Sequence, residues 1–393
     1  MGRSQIKPRI NKNQRVIIIA SQESKSNVPA VSEIVRSLRS IAIHSLSRMY
    51  RPDERLFAFR LRKNGNDEVL EGVSHRYTAM VLIGLADESP EVVKQVLGKH
   101  SREDVCERLL QDVDKMNNLG DVAITTWAAR ALDYAKASSA IEALQRMEPR
   151  RRPYPTMELS WALSALVVEG GKATDKLLAE GIAETLIAAF NWESGVFKRW
   201  SQGCKVSRFR AHASCFADFV YPILALSHYH LATGNIKALE TALRCAEHMC
   251  QGQGPEGQWW WYHDVRTGQA LERYPVYAVH QDAMAPMALL TLAKASGRHY
   301  SESIKKGLYW LMNPNEIGDS LIDQEREVIW RKVARREPKR TIRALQAACS
   351  YVHHDLRVPA TDILFPPVSI DHETRPYHMG WILCAWRDAE LRI

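Results

Sequence analysis

The amino-acid sequence predicts an all-α fold, an (α/α)6 toroid in which six helical hairpins form an inner and an outer ring. Three observations lead to this prediction. Stretches that are apolar on nearly every side alternate with amphipathic stretches along the 393 residues, polarity does not alternate with a period of two for long, and a short motif recurs. Buried helices need amphipathic helices around them, and six such pairs can close into a ring without an edge.

Six stretches are rich in small and apolar residues all round, which is typical of buried helices. They lie at 74–85, 121–132, 156–168, 211–231, 276–295 and 375–391. Amphipathic stretches alternate with them at 32–48, 90–116, 137–147, 174–190, 236–250 and 300–311, and one more at 340–353 precedes the last buried stretch. Because the first residues are polar and basic, we predict an N-terminal tail at 1–28 and one toroid domain at 29–393.

A short motif recurs where amphipathic stretches end. Its full form is Gln253-x-x-x-Gly257-x-Trp259, and degenerate copies are Asn191-x-x-x-Gly195-x-Phe197, Pro314-x-x-x-Gly318-x-Ser320 and, more faintly, Arg51-x-x-x-Arg55-x-Phe57. The copies at 191, 253 and 314 are spaced by 62 and 61 residues. Glycine permits a positive φ, and the aromatic residue covers the turn. Each copy is therefore predicted to turn the chain from an outer helix towards an inner one.

This motif resembles the Gln-x-x-x-Gly-x-Trp repeat of squalene and terpene cyclases, which are built on α/α toroids. Only residues 253–259 match it in full. The predicted architecture, over about residues 30–391, is similar to that of six-hairpin glycosidases, α/α-toroid polysaccharide lyases and the helical domain of uronyl epimerases. The resemblance implies the toroid fold more than any one activity.

Composition and charge restrict the classes of function. A chain that is 46% hydrophobic and 25% charged is typical of a folded globular protein, and no apolar run reaches the roughly 18–20 residues of a membrane span. Seven scattered cysteines without a CxxC pair argue against a disulfide framework and favour the reducing cytoplasm. The net charge of +8 favours a polyanionic partner. The basic clusters at 150–152 and 335–340 are interpreted as solvated loops.

The entrances to the predicted inner helices are polar and aromatic, and a toroid brings them together in a funnel at its centre. The candidate substrate-binding residues are His75, Arg76, Tyr77, Glu158, Trp161, Arg208, Arg210, His212, Trp260, Tyr262, Tyr377 and His378. Arginine binds carboxylates, and an exposed indole offers a flat platform to a sugar ring. The structural alternatives are that the arginines pair with acids of this chain, and that Trp259 and Trp261 pack in the core while Trp260 points the other way.

The candidate catalytic residues are His263, Asp264, Tyr277, His280 and Asp282. A carboxylate on an otherwise apolar helix, such as Asp282, is costly unless it is paired or functional. A core histidine can instead be satisfied by a neighbour, so a structural role stays open for His263 and His280.

A second histidine-rich group comprises Tyr351, His353, His354, His372, Glu373, Tyr377 and His378. Its spacing matches no firm metal-ligand pattern, so the sequence predicts no metal and no cofactor.

The first functional hypothesis is a carbohydrate-active enzyme whose substrate is an acidic, uronate-containing glycan. Arg76, Arg208 or Arg210 would neutralise the uronate, and His263, Tyr277 or His280 would remove the proton next to it, giving elimination or epimerisation. In hydrolysis, Asp264 and Asp282 would form the acid/base pair.

Two alternatives stay open. A non-catalytic glycan-binding or scaffold module would use the same charge and tryptophans, but no DNA- or RNA-binding motif supports a nucleic-acid partner. A terpene-cyclase relative would need the Asp-x-Asp-Asp or Asp-Asp-x-x-Asp motif, and neither occurs in the sequence.

Overall fold

The inner ring consists of six helices that contact one another in sequence order. The computed structural model describes residues 29–167, 175–204, 206–207, 211–337 and 341–387, and within these the inner helices are α2 (His75–Leu85), α5 (Leu119–Ala131), α7 (Thr156–Leu166), α9 (Ala217–Thr233), α11 (Ala285–Ser296) and α15 (Pro376–Ala385). Helix α15 packs against α2, so the ring is closed. The predicted toroid is confirmed. The predicted tail at 1–28 lies outside the described residues.

The outer ring carries the amphipathic helices. They are α1 (Val31–Met49), α3 (Pro90–Leu97), α4 (Arg102–Leu110), α6 (Ala137–Arg146), α8 (Lys176–Ala189), α10 (Ile236–Gln251) and α12 (Ser301–Met312). Outside this pattern, α13 (Thr341–Val352) and a short α14 (Thr361–Leu364) lie between α12 and α15. The stretch predicted as one helix at 90–116 is divided into α3, α4 and the 3-10 turn Val113–Lys115. Gly98 and the serine caps Ser89 and Ser101 explain the division.

Inner helices α2 and α15 approach closely because each has a glycine at the crossing. A Cβ on Gly84 would lie 2.2 Å from the carbonyl oxygen of Gly380, and a Cβ on Gly380 would lie 2.8 Å from the Val81 Cα. The pair that closes the ring therefore depends on the absence of a side chain at both positions.

Short antiparallel strands lie in the connections between helices. The strands are β1 (Tyr50–Arg51), β2 (Leu56–Phe57), β3 (Arg60–Asn64), β4 (Asp67–Glu71), β5 (Phe190–Asn191), β6 (Val196–Phe197), β7 (Ala213–Cys215), β8 (Tyr262–Asp264), β9 (Ala270–Glu272), β10 (Val276–Tyr277), β11 (Ile322–Asp323), β12 (Val328–Ile329), β13 (Lys332–Ala334), β14 (Ser369–Asp371) and β15 (Glu373–Thr374). They form the sheets β10-β13-β14, β15-β3-β4 and β7-β8-β9 and the hairpins β1-β2, β5-β6 and β11-β12.

These strands correct two helix predictions. The stretch 211–231 begins with β7, and its helix starts only at Ala217. The stretch 276–295 begins with β10 and a π-helical turn, His280–Met284, before α11. In both cases the residues at the entrance pair with another strand instead of continuing the helix towards its N-terminus.

The predicted turn motif is confirmed. Its copies begin at Arg51, Asn191, Gln253 and Pro314, each two residues beyond the last residue of α1, α8, α10 or α12. Four residues later the chain has a positive φ in every copy: 52° at Arg55, 72° at Gly195, 105° at Gly257 and 63° at Gly318. The hairpin β11-β12 has the same form as β1-β2 and β5-β6, with Glu327 at φ 51°, and the sequence pattern did not reveal it.

Replacing Gly257 with alanine should destabilise the fold more than a similar change at Gly297. Both glycines have a positive φ, which costs another residue about 1–2 kcal/mol. A Cβ at 257 would also lie 2.2 Å from the Lys306 carbonyl oxygen, whereas nothing lies within 4 Å of one at 297. Overpacking adds about 1–3 kcal/mol, and urea denaturation of Gly257→Ala and Gly297→Ala should show this difference. Equal losses would contradict a steric requirement at 257.

Candidate functional site

The entrances of the inner helices meet at one end of the ring. The rings of Tyr77 in α2 and Tyr377 in α15 lie 4.8 Å apart, and those of Tyr277 in β10 and His280 in the π turn lie 5.1 Å apart. We call the group assembled there the central cluster; it consists of Tyr77, Tyr277, His280, Asp282, Arg331, Glu373, Arg375, Tyr377 and His378.

One buried carboxylate organises the arginines of the central cluster. Glu373 is only 3% exposed, and it accepts bonds from Arg375 Nε at 2.8 Å and Arg331 Nη1 at 2.7 Å, while Arg60 Nη1 lies 2.8 Å from its other oxygen. Burial alone would raise the pKa of Glu373, but Arg331 and Arg375 hold it below its usual value. The carboxylate is therefore charged and fixes both guanidinium groups.

Tyrosines adjoin these arginines. Arg375 Nη1 donates to the Tyr77 hydroxyl at 2.8 Å, and the Arg331 guanidinium lies 5.3 Å from the centre of the Tyr277 ring. Burial raises the pKa of Tyr377, against the charges of Arg331 and Arg375. The cluster therefore combines positive charge with tyrosine hydroxyl groups, and that of Tyr377 is neutral.

His280 lies between aromatic rings. Its ring centre is 4.4 Å from that of Phe216 and 5.1 Å from that of Tyr277. A hydrogen bond links it to the Trp259 backbone, and among the described residues its buried Nδ1 has no hydrogen-bond partner. Burial lowers its pKa to about 3, so the imidazole is neutral at pH 7. A neutral ring with an unsatisfied nitrogen can accept a hydrogen bond from a substrate hydroxyl.

His378 and Asp282 form a buried pair across two inner elements. His378 Nε2 lies 2.7 and 3.0 Å from the two carboxylate oxygens of Asp282. Burial raises the pKa of Asp282, and His378 opposes this shift. The Trp386 indole donates to the Asp282 carbonyl at 2.6 Å. With Nε2–H donated to the carboxylate, Nδ1 becomes the basic nitrogen of a neutral His378.

The predicted residues of α2 and α7 form a neighbouring wall. Arg76 bonds Asp121 at 2.6 Å and lies over the Trp161 ring, 5.6 Å from its centre. Glu158 accepts from Asn118 and from the backbone N–H of Gly120. Burial raises the pKa of Glu158, against the Asn118 bond and the charge of Arg76. His75 contacts Asp112 at 3.2 Å.

The structure places His263 and Asp264 in strand β8. His263 lies with its two ring nitrogens 2.9 Å from the Trp260 carbonyl and 3.3 Å from the Gly268 carbonyl, and burial lowers its pKa to about 4. Asp264 is fully buried and accepts two bonds from the Arg266 guanidinium, at 3.0 and 2.6 Å. Among the described residues its ion pair is with Arg266 and with no member of the central cluster. Its contacts give it a stabilising role in this hairpin.

The partly exposed tryptophan beside the central cluster is Trp261, whereas the sequence predicted Trp260. Trp260 is 8% exposed, packs on Tyr274 and is covered by Arg273. The partly exposed Trp261 instead meets Tyr277, with 5.4 Å between the ring centres. Trp259 is buried, as its structural alternative predicts.

The remaining predicted residues lie further from the centre. Tyr262 is buried opposite Cys215 in the β7-β8 pair, and His212 Nε2 lies 2.9 Å from the Ser350 hydroxyl. Arg208 and Arg210 lie outside the described residues.

The second histidine-rich group does not assemble at one place. His378 belongs to the central cluster, whereas the ring of His372 packs against Trp330. His353 and His354 are exposed and lie with Asp355 within 4.8 Å of one another.

Sequence reasoning did not find four residues of this region, which are Asp218, Arg331, Lys332 and Arg375. Arg331 lies between β12 and β13, and Lys332 begins β13, in a segment without clear periodicity. Asp218, in the first turn of α9, is buried and accepts from the Cys215 backbone N–H at 2.9 Å, and burial raises its pKa. Asp282 was predicted because it is a carboxylate in an otherwise apolar stretch. Asp218 could have been found by the same reasoning.

Two clefts open beside the central cluster. One has a volume of about 590 Å³ and is lined by Phe59, His75, Arg76, Tyr77, Asp112 and Asp121, among others. The other has about 270 Å³ and is lined by Tyr274, Tyr277, Lys332, Arg335, Glu337 and Arg343, among others. Arg335, interpreted from the sequence as a loop residue in solvent, is buried and bonds Glu272.

No described helix is long and apolar enough to cross a membrane.

Comparison with solved structures shows that this chain has the fold of the α/α-toroid, six-hairpin enzymes. The likeness to an unsaturated glucuronyl hydrolase specific for heparin has a TM-score of 0.60 and 12% identity, covering 91% of this chain and 96% of the other. The likeness to a sugar epimerase from a ruminal bacterium has a TM-score of 0.59 and 12% identity, covering 92% of this chain and 100% of the other.

A third structure is the unsaturated glucuronyl hydrolase of Bacillus sp. GL1, responsible for degradation of glycosaminoglycan, with a TM-score of 0.55, 13% identity and coverage of 91% and 96%. No protein-family description and no curated protein sequence matches this chain. At 12–13% identity the likeness shows the fold alone.

Proposed function

We propose that this protein is a carbohydrate-active enzyme that transfers protons on an acidic, uronate-containing oligo- or polysaccharide. The observation that carries the proposal is the central cluster, in which Glu373 fixes Arg331 and Arg375 close to two histidines. The solved toroids of similar fold include hydrolases that act on glucuronyl groups and a sugar epimerase, which supports the same substrate class.

The arginines suit a uronate carboxylate. A guanidinium binds a carboxylate with two parallel hydrogen bonds. Arg331 and Arg375 share the buried Glu373, and Arg331 Nη1 also lies 3.5 Å from Asp371. The linked cations Arg60, Arg331, Lys332 and Arg375 still outnumber the acids Glu71, Asp371 and Glu373, so this network keeps positive charge for a substrate carboxylate. Binding there would withdraw electron density from the carboxylate and acidify the hydrogen on the adjacent ring carbon, C5.

The histidines suit the proton transfers. His378 Nδ1 takes the C5 hydrogen as a proton, and the electron pair of the C–H bond moves into the carboxylate as an enediolate that the arginines stabilise. In elimination this pair forms the C4–C5 double bond and breaks the bond from C4 to its leaving oxygen, which takes the proton held by His378. In epimerisation a tyrosine hydroxyl of the central cluster gives a proton to C5 from the opposite face, and exchange with solvent then restores that tyrosine and His378. Asp282 holds His378 in the required tautomer.

Hydrolysis is the second candidate, because of Glu158. This residue is buried in the wall beside Arg76, and burial raises the pKa of its carboxyl. A protonated carboxyl can serve as the general acid that protonates a leaving sugar. The predicted pair of Asp264 and Asp282 is less suitable, since these carboxylates are bound to Arg266 and His378.

A terpene cyclase fits less well. The two clefts beside the central cluster are lined by charged residues, whereas a carbocation needs mainly aromatic walls. We also propose that the enzyme works in the cytoplasm, because its seven cysteines are free thiols.

Ligand binding tests the substrate class. Uronate oligosaccharides, neutral oligosaccharides and isoprenoid diphosphates are each added to the purified protein, and its melting temperature is measured. Saturation at a hundredfold excess over Kd stabilises the fold by about 2.7 kcal/mol. We expect a shift with the uronates alone. A shift only with diphosphates would favour a cyclase, and none with any sugar would contradict the proposal.

Product analysis then separates the reactions. Elimination creates a conjugated double bond that absorbs in the ultraviolet, and epimerisation in D2O places deuterium at C5 of the recovered sugar. Hydrolysis releases a new reducing end without either signal. Uronate binding with no turnover would identify a glycan-binding module instead of an enzyme.

A further inference from the structure

The cleft of about 270 Å³ adjoins the central cluster through Tyr277, which belongs to both. Three cations, Lys332, Arg335 and Arg343, line it with one acid, Glu337. We call it the Arg343 cleft. The cleft therefore lies beside the position proposed for the uronate, and the partners of each cation decide which of them can receive an anion.

Two of the three cations have carboxylate partners. Lys332 Nζ lies 3.0 Å from Asp371, and Arg335 bonds Glu272 at 2.9 Å and Asp362 at 2.8 Å. Glu337 accepts from the Ile342 backbone N–H at 2.7 Å, at the start of α13. Lys332, Arg335 and Glu337 are therefore already bound to other groups of the protein.

Arg343 differs from the other two. Its guanidinium lies over the Trp261 ring, 4.5 Å from the centre, and 5.7 Å from the centre of Tyr262. Within the described ranges no carboxylate lies within ion-pair distance of it. Stacking holds the plane of a guanidinium while its N–H groups, at the edge, keep their capacity to bind an oxyanion. The side chain is half-buried, so less conformational entropy is lost on binding.

We propose that the Arg343 cleft is a specificity subsite for a second oxyanion, a sulfate ester or a carboxylate, on the sugar next to the uronate. This inference rests on the proposed function, because the uronate at Arg331 and Arg375 places the neighbouring sugar beside Tyr277. Arg343 gives two N–H groups to the anion, while Lys332 and Arg335 stay bound to their carboxylate partners. A substrate with one acidic group would bind at the centre alone.

The test uses three uronate disaccharides: one with a neutral second sugar, one with a single sulfate ester on that sugar, and one whose second sugar is itself a uronate. Calorimetry measures Kd for the full chain and for Arg343→Gln, Arg343→Lys and Arg199→Ala. Arg199 is the matched control, because it also stacks on a tryptophan, 5.7 Å from the centre of Trp200, but does not line the cleft.

We expect the second acidic group to tighten Kd about tenfold, the size of one charge-assisted hydrogen bond. Arg343→Gln should remove this gain and leave Kd for the neutral-ended disaccharide unchanged, which also shows that the variant is folded. Arg343→Lys should keep part of the gain, and Arg199→Ala all of it. The sulfate and carboxylate arms show which oxyanion is preferred.

Equal Kd values for all three sugars with the unchanged protein would overturn the subsite and leave the proposed function standing. The subsite would also be overturned if Arg343→Gln still bound the disaccharides with a second acidic group about tenfold more tightly than the neutral-ended one. Failure of every disaccharide to bind would instead overturn the proposed function, and the subsite with it.

Discussion

His378→Gln should lower kcat/KM on the uronate substrate by about 10²–10⁴-fold, the usual contribution of a general base. Glutamine retains a polar group next to Asp282 but has no basic nitrogen. Asp282→Asn should lower activity in the same way, because an amide no longer favours the tautomer in which Nε2 carries the proton. Steady-state kinetics of both variants, and of the double variant, measure these effects.

The double variant decides whether the two residues act as one unit. Residues of a unit lose activity non-additively, so the double variant should be about as slow as the worse single variant. His372→Gln is the control, since this histidine is close in sequence but packs on Trp330. If His378→Gln lowers the melting temperature and leaves kcat/KM unchanged, the buried pair is structural and His280 becomes the remaining histidine candidate.

The ring of helices could be predicted because its physical requirement appears directly in the sequence. An inner helix such as α7 contacts protein on every side, so small and apolar residues surround it on all sides, with Glu158 as the charged exception. The turn motif was visible for a similar reason, since Gly257 needs both a positive φ and space at the Lys306 carbonyl. Strands of two to five residues, such as β10 and β13, are too short to show a period of two.

The candidate site was predicted only in part, because of those strands. Tyr77, Tyr377 and His378 lie in the first turns of α2 and α15, and His280 begins the π turn that leads into α11. A ring necessarily brings such positions together. Arg331 reaches the cluster differently: the pairing of β13 with β10 and β14 sets Lys332 opposite Tyr277 and Asp371, and Arg331 directly precedes this strand.

The two predicted catalytic carboxylates differ in the residues that they contact. Asp264 and Asp282 were both predicted as catalytic carboxylates, but Arg266, two residues after Asp264, neutralises Asp264 within its own hairpin. Asp282 finds its partner, His378, 96 residues away. A spacing pattern within one segment therefore could not distinguish a structural carboxylate from one that orients a reactive histidine.

Glu373→Gln should be the most destabilising of the substitutions considered. Removing a buried partner from an ion-pair network costs about 3–5 kcal/mol, because the remaining charges are left uncompensated. Here Arg60, Arg331 and Arg375 would lose their shared acid, which is 3% exposed. Glu71→Gln is the matched control: Glu71 also bonds Arg60 but is 36% exposed, so its loss should cost less than about 1 kcal/mol. Urea denaturation at pH 7 measures both.

The pH dependence of this loss identifies its origin. The pKa of Glu373 is lowered in the folded protein from its ordinary value of 4.5, so its contribution to stability is complete above pH 4.5 and disappears as the pH falls through the folded pKa. The difference in unfolding free energy between the unchanged protein and Glu373→Gln should therefore shrink below pH 4.5. A difference that does not vary with pH, or an equal loss in Glu71→Gln, would show that packing and not the arginine network makes Glu373 important. If the network holds Arg331 and Arg375 in place, Glu373→Gln should also raise KM for uronate sugars more than it lowers kcat.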